Sequence, residues 1–537
     1  MQKFYRKSDV YGRMIGNYVF TLYVTAIIAA HLFLVSSTRL GAVRSIFIAA
    51  LLAIIISPLA LTKARTFFIP VEKHPNKPFY KTLFYGLPLL VLLIYYLAYY
   101  PGGFPPDSIS QYEQALTNHY NDWHPVLATL ISFKLPLLLT HGWIGSVILF
   151  QLIWFAAAIG YSCSTVEKYV NSTAAFTLLA FMLLNPQLGN MAMAPWKDSL
   201  FALATLLLAT CSARIYFTYG RWLEENFHTV ILILLLAVTT LLRHNAILFT
   251  APFLVGLFFF SSRKRAFAIL GAVLALCFLI KGFLFPILHV QAPPNRQAEA
   301  VGLPMSVISA VAAHAPDALE EQDKQFIFSV AQPEVFPAHF SDGYNDIKYL
   351  PGTNNQAIED YGIRNVLNTT IRCFKHAPIV ATKALLKLTA PAISVLDDEM
   401  TLFTPAISPN NYNIQQQGIP ALHQFFRTYT RVCTVLFAPF FVFTGIMHLL
   451  LLLAVCAKCT LRRYWKNVWL ILPIFTYNFG TMLLLSGKAD AVRLYYYTFL
   501  VAPLLLILLF SRKKVSTRYS SFRRKTQKRA SSRFSTR

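Results

Sequence analysis

The stretch Pro101–Pro125, PGGFPPDSISQYEQALTNHYNDWHP, leaves the end of an apolar run and carries Asp107, Glu113, Asp122 and His124 into a chain that is otherwise nearly all hydrocarbon. Carboxylates beside a bilayer are costly to desolvate, so they mark sites of function. A carboxylate fixed at a helix start is a positioned base, able to take a proton from a hydroxyl nucleophile. Asp107 follows Pro105-Pro106, and Ser108–Leu116 can start a helix from it; Asp is equally suited to serve there as the helix N-cap alone. Asp122-Trp123-His124-Pro125 opens a second helix, with Trp123 suited to a headgroup interface and Pro125 to a first helical position. His124 is either solvated there, or turned onto a phosphate or onto Asp107. Pro195-Trp196-Lys197-Asp198, Arg243-His244-Asn245 and the loop GKADAVR, with Lys488, Asp490 and Arg493, bring cations and acids to three further helix ends, and Lys281 lies inside another apolar run. Singly, each can be a helix-end anchor. Together they suit an anionic lipid headgroup, a phosphate or pyrophosphate held by Arg and Lys.

The elements that must position these groups are membrane spans. The 537 residues are 56% hydrophobic and 13% charged, with mean hydropathy +0.50, which excludes a soluble globule. Apolar runs of roughly 15–23 residues match a hydrocarbon core about 30 Å thick. They fall near 17–36, 45–62, 83–100, 143–162, 172–187, 199–216, 228–242, 246–260, 266–288, 431–456, 468–486 and 494–510. Val126–Leu139 is a thirteenth, shorter and interrupted by Lys134. Counting basic clusters decides its status. If it does not cross, the N-terminal cluster, Lys63–Lys81, Arg214–Arg221, Arg263–Arg265, Lys458–Lys466 and the C-terminal tail share one side. The expected fold class is therefore an all-α polytopic membrane protein of about 12 transmembrane helices, in the cell membrane, with both termini cytoplasmic. Val126–Leu139 is expected to lie at the outer interface as an amphipathic helix.

Most of the acids then face outward, thirteen of the 23 Asp/Glu within 289–430. The expected organisation is N-terminal spans over 1–100, an outer loop with interfacial helices over 101–142, a transmembrane core over 143–288, a loop-rich outer cap over 289–430, C-terminal spans over 431–510 and a basic tail over 511–537. In the cap, Ile371–Leu388 reads as one surface helix, with Pro378 at its start or kinking it. The tail holds eleven Lys/Arg and no acid; it reads as a disordered anchor for anionic lipid at about 1 kcal/mol per charge near the surface, not as a nucleic-acid binder. The seven cysteines predict no disulfide framework, and Cys456-Ala-Lys-Cys459 lacks two further metal ligands nearby.

An apolar helix ending in an Asp-led loop, an amphipathic stretch, then His-Pro-Val-Leu-Ala-Thr-Leu-Ile resembles the first outer loop of GT-C glycosyltransferases, in the protein-O-mannosyltransferase-like and aminoarabinose-transferase-like branch. The runs PWKDSLFALATLLL, LRHNAILFTAPF and RLYYYTFLVAPLL resemble later helix starts of that branch, and are similar also to a family of Gram-positive bacterial membrane proteins. The chain departs from the pattern in carrying Asp-Ser where the branch has Asp-Glu, and His-Pro-Val for His-Pro-Pro. The resemblance implies an enzyme, a GT-C-type glycosyltransferase moving a sugar from a polyisoprenyl-phosphate donor to an extracytoplasmic hydroxyl acceptor. Under it Asp107 is the general base, Lys197, Arg243 and Arg493 bind the donor phosphate, and Asp122, His124 and Asp198 line the cavity. The partners are the lipid-linked donor, membrane lipids and the acceptor. No cofactor is required; the carboxylates could hold a divalent cation, which a lipid-monophosphate donor does not oblige, and no metal site is assigned. A lipid-linked sugar flippase or transporter, or an outer-face glycan polymerase or ligase, is the alternative.

Overall fold

The computed structural model describes residues 2–35, 39–72, 77–293, 296–395, 402–441, 443–458 and 464–513. Most of the expected tail, and Cys459 of the CAKC pair, fall outside the described residues. In chain order the helices are α1 Gln2–Val35, α2 Arg39–Thr66, α3 Pro78–Tyr99, α4 Pro106–Thr117, α5 Val126–Leu139, α6 Gly145–Tyr169, α7 Ser172–Leu184, α8 Pro186–Ala192, α9 Lys197–Thr218, α10 Asn226–Leu241, α11 Ile247–Leu257 and α12 Arg263–Ile287. After a run of short helices, α13 is Gly302–His314, α14 Ile363–His376, α15 Pro378–Ile393, α16 Pro420–Phe441, α17 Thr444–Ala457, α18 Tyr464–Met482 and α19 Lys488–Phe510. Seven of them, α1, α2, α3, α6, α9, α12 and the Val492–Phe510 part of α19, are long and apolar enough to cross a bilayer. The chain is an all-α, membrane-embedded protein.

Polar contacts sort the helix ends onto two faces. On the first, strands Ile69–Val71 and Ser511–Lys513 pair in parallel. Asn171 Nδ2 donates to Pro70 O at 2.6 Å, Lys458 Nζ to Ser511 O at 2.8 Å, and Tyr216 OH to Asn467 Oδ1 at 2.8 Å. On the second, Gln291 exchanges backbone hydrogen bonds with Tyr120 and Asp122, both at 2.9 Å, and Gly103 N–H donates to Met193 O at 2.7 Å. Between the faces lies one large core, in which Phe84, Phe155, Trp469 and Tyr497 are almost fully buried. Helix approach there is close: a Cβ on Gly256 would fall 1.5 Å from Trp469 Cδ1.

Two helices widen by one π turn, at Leu130–Lys134 and Ile280–Leu284. Leu135 N–H bonds back to Leu130 O and Phe285 N–H to Ile280 O, and each is followed directly by a proline, Pro136 or Pro286. Proline lacks the N–H for an i→i−4 bond and its ring crowds that carbonyl, so the turn before it loosens. In α5 this lets Lys134 Nζ donate to Ala115 O at 2.9 Å, tying α5 to the end of α4.

Three expectations change. The run 431–456 is two helices, α16 and α17. Ile419 N–H, just before α16, bonds to Leu97 O on the second face, and Gly445, just after it, packs on Ser394 O. The segment 289–430 is helical rather than loop-rich, with its own core: Met305, Ile308, Ile327, Phe336 and Val366 are buried together with Leu485 and Tyr495 from the bundle. Short helices that are marginal alone persist because they share this core. Finally, Pro378 interrupts Ile371–Leu388 as expected, opening α15 after the break at Ala377, but α15 packs against α13 and α19 instead of lying free on a surface.

Candidate functional site

Asp107 is the second residue of α4. Pro105 occupies the N-cap in an extended conformation, Pro106 fills the next position, and there is no side-chain cap hydrogen bond. The capping role is thus unused, and the carboxylate turns elsewhere. Its Oδ2 accepts from Arg493 Nη1 at 2.5 Å and lies 3.7 Å from Lys197 Nζ. Ser108 beside it is fully buried, so the longer carboxylate of an Asp-Glu pair would be forced into the core at this position.

Lys197 opens α9, where the helix dipole disfavours a cation. Its ammonium is compensated by Asp107 and by a hydrogen bond at 3.2 Å to His124 Nδ1. An ammonium only donates. Nδ1 must therefore accept, and His124 is the neutral Nε2–H tautomer. Burial pushes the His124 pKa down to about 3, with Lys197 adding to the effect. For Asp107, burial by itself raises the pKa, but Arg493 and then Lys197 outweigh it and hold the carboxyl well below the usual carboxylate range. The loop GKADAVR is not a loop beyond Gly487: α19 begins at Lys488, so Arg493 projects from its second turn. The Arg493 guanidinium also lies 5.4 Å from the Trp196 ring. Side-chain exposures of 27% for Asp107, 23% for Arg493 and 16% for Lys197 leave the cluster partly open.

Asp198 and Arg243, expected beside Asp107, instead pair with each other. Both are buried, and the Arg243 guanidinium lies 5.8 Å and 5.9 Å from the rings of Phe201 and Tyr477. The physical reason is helical geometry: successive residues at a helix start point about 100° apart, so Lys197 faces Asp107 while Asp198 faces the α10–α11 turn. Asp122 contributes backbone, its N–H bonded to Gln291 O and its C=O accepting from His244 Nε2 at 2.9 Å. Glu113 is exposed. Of the expected residues, Asp107, His124, Lys197 and Arg493 meet in one cluster, while Asp122 supports its loop and Asp198 and Arg243 form a neighbouring pair. Trp196, of the Pro-Trp step before Lys197, and Gln291, which nothing local in the sequence marks, also border the cluster.

Among the described residues no three His, Cys, Asp or Glu side chains form a metal-holding group. With two cations already on Asp107, that carboxylate is a poor ligand for a divalent ion as it stands. The arrangement fits exchange of anions: two cations, one of them also bonded to a neutral imidazole, hold one carboxylate that a phosphate could displace. No family model, curated protein or solved structure matches the chain.

Proposed function

We propose that this chain is a GT-C-type membrane glycosyltransferase, transferring a sugar from a polyisoprenyl-phosphate donor to an extracytoplasmic hydroxyl acceptor. One observation carries the reading: Asp107 and Arg493, 386 positions apart, meet with Lys197 and His124 at a partly open cluster on the face opposite the basic loops. The seven long apolar helices, with α7, α10, α11, α17 and α18, make twelve crossings that alternate between the two faces, leaving α4, α5 and α16 on the outer one. Both termini then lie in the cytoplasm. The shorter crossings are tolerable because protein, not lipid, covers the backbone at their ends.

In this reaction the acceptor oxygen attacks the anomeric carbon, its proton passes to Asp107, and the bond from that carbon to the phosphate oxygen breaks. The electron pair leaves with the polyisoprenyl phosphate, whose growing charge Lys197 and Arg493 stabilise. The resting Asp107 is too acidic to be an effective base. Donor binding corrects this, because a phosphate that draws Arg493 and Lys197 away removes the charges that hold its pKa down. Asp107→Asn is expected to lower transfer by ~10²–10⁴-fold in proteoliposomes supplied with lipid-linked sugar. Unchanged formation of the glycosidic bond by that variant would remove Asp107 from the reaction, and movement of intact donor without a new bond would favour a flippase.

A further inference from the structure

One turn deeper in the bundle than the Asp107 cluster lies a polar network that the proposed reaction does not use. Tyr497 follows Arg493 on α19 by four residues, and Phe201 follows Lys197 on α9 by four, so each pair shares a helix face and is separated by about 6 Å along the axis. Beneath the Arg493–Asp107 ion pair the two helices meet through the rings of Tyr497 and Phe201, with centroids 5.5 Å apart. The Tyr497 hydroxyl donates to Asn478 Oδ1 on α18 at 2.8 Å, and Thr498 Oγ1 accepts from Asn478 Nδ2 at 2.9 Å. Asn478 Nδ2 also donates to His448 Nε2 on α17 at 2.8 Å, and His448 Nδ1 donates to Ala392 O, near the end of α15, at 3.1 Å. His448, Asn478 and Thr498 are fully buried.

The directions of these bonds are forced in sequence. A carbonyl only accepts, so Ala392 makes His448 the neutral Nδ1–H tautomer and leaves Nε2 as an acceptor. The Asn478 amide must then turn its NH2 toward His448, which leaves its oxygen for Tyr497. Two successive residues of α19, about 100° apart around the axis, are therefore gripped by opposite ends of one amide. Rotation of α19 in either sense pulls one of these bonds off line, and hydrogen bonds weaken steeply with misalignment. Apolar contact is non-directional and offers no such stop.

We infer that Asn478, its amide oriented by His448, is a positioning residue that sets the rotation of α19 and so holds Arg493 on Asp107. Arg493 leaves the helix one turn above the grip, where its guanidinium meets both Asp107 and the Trp196 ring. The positioning stands on these hydrogen bonds alone; its effect on sugar transfer rests on the transferase reading. With Arg493 displaced, Lys197 still captures the donor phosphate, but one cation instead of two stabilises the charge on the departing group. Turnover then falls more than donor affinity.

Replacing Asn478 itself strands buried polar groups on three helices, so the test alters its partner on α19. Thr498→Val removes the acceptor while keeping the shape, and Thr498→Ser keeps the acceptor. In proteoliposomes with lipid-linked sugar, Thr498→Val should lose about 10–100-fold in kcat with little change in donor KM, and Thr498→Ser should turn over as the wild type does. A second measurement needs no activity. Thermal unfolding of Asp107→Asn, Arg493→Gln and the double variant is followed in the wild-type and Thr498→Val backgrounds. The non-additive part of the Tm shifts reports the Asp107–Arg493 contact, and it should fall to about half or less in Thr498→Val. Undiminished coupling, wild-type turnover in Thr498→Val, or equal loss of turnover in Thr498→Ser would each overturn the positioning role. Diminished coupling in a protein whose wild type forms no glycosidic bond would sink the transferase reading and leave the positioning role standing.

Discussion

Lys197 holds two unlike partners, a carboxylate at 3.7 Å and an imidazole at 3.2 Å, and this fixes the protonation of the cluster. His124 stays neutral because it is buried and faces an ammonium, so its pKa of about 3 lies far below the ordinary 6.5. The unfolded chain takes up a proton at 6.5 that the folded one refuses until about 3. Folded stability therefore rises with pH across that window and is lost on acidification, at up to ~1.4 kcal/mol per unit of difference. Thermal unfolding followed from pH 6.5 down to 4 should show a steep loss in the wild type and a shallower one in His124→Gln; equal slopes would mean His124 is not the group refusing the proton. Asp107 acts in a lower window, because its depressed pKa adds stability that is fully present above the ordinary carboxylate pKa of 3.8 and disappears as pH falls toward the folded value. That these residues bear on chemistry was legible in the sequence, since each is a charged or ionisable group at the edge of an apolar run. Which of them pair was not, because pairing depends on the rotation of each helix about its own axis.

At the scale of elements, the Asp198–Arg243 pair joins the first turn of α9 to the turn between α10 and α11, with both side chains almost fully buried. Removing one partner leaves a buried charge uncompensated, at a cost of ~3–5 kcal/mol. Arg243→Met should therefore lower thermal stability strongly, while Asp198→Leu with Arg243→Met restores most of it and keeps sugar transfer within a few-fold. A double variant that folds yet transfers nothing would return Arg243 to the donor site. The break between α16 and α17 belongs to this scale too. Hydropathy sees one greasy run over 431–456, and it has no term for direction. α16 is instead fixed in its own direction by Tyr95 stacked on Phe426 at 3.8 Å and by Tyr429 OH donating to Leu184 O at 2.6 Å. The helical content of 289–430 escapes hydropathy for a related reason: its turn-rich patches are real, but the helices between them are stabilised by burial of α13, whose residues Gly302–Ala312 are buried without exception.

For the whole molecule, the two faces make an assertion about sidedness. Glu224 lies in an exposed turn beside the basic loops, and Asp317 is exposed in the helical segment over the opposite face. In intact cells a membrane-impermeant maleimide should label Asp317→Cys directly, and Glu224→Cys only after permeabilisation. Labelling of both from the same side would overturn the twelve-crossing arrangement. The six described cysteines are buried or half-buried; both variants are made with Cys459→Ser, and the parent with that change alone sets the background. The two-faced charge distribution is what the arrangement rests on, and it comes from the spacing of basic clusters between apolar runs.

The sequence by itself determined that this is a helical membrane protein, which stretch carries its ionisable groups, and on which side of the bundle the basic loops gather. Those properties follow from composition and spacing, because water and hydrocarbon act on each segment separately. Only the tertiary structure decided that Asp107 meets Arg493 and Lys197 while Asp198 meets Arg243, and that the run 431–456 divides into α16 and α17. Charge pairing is settled by distance: at 2.5 Å Asp107 and Arg493 dominate each other's ionisation, and nothing in a separation of 386 positions foretells that contact.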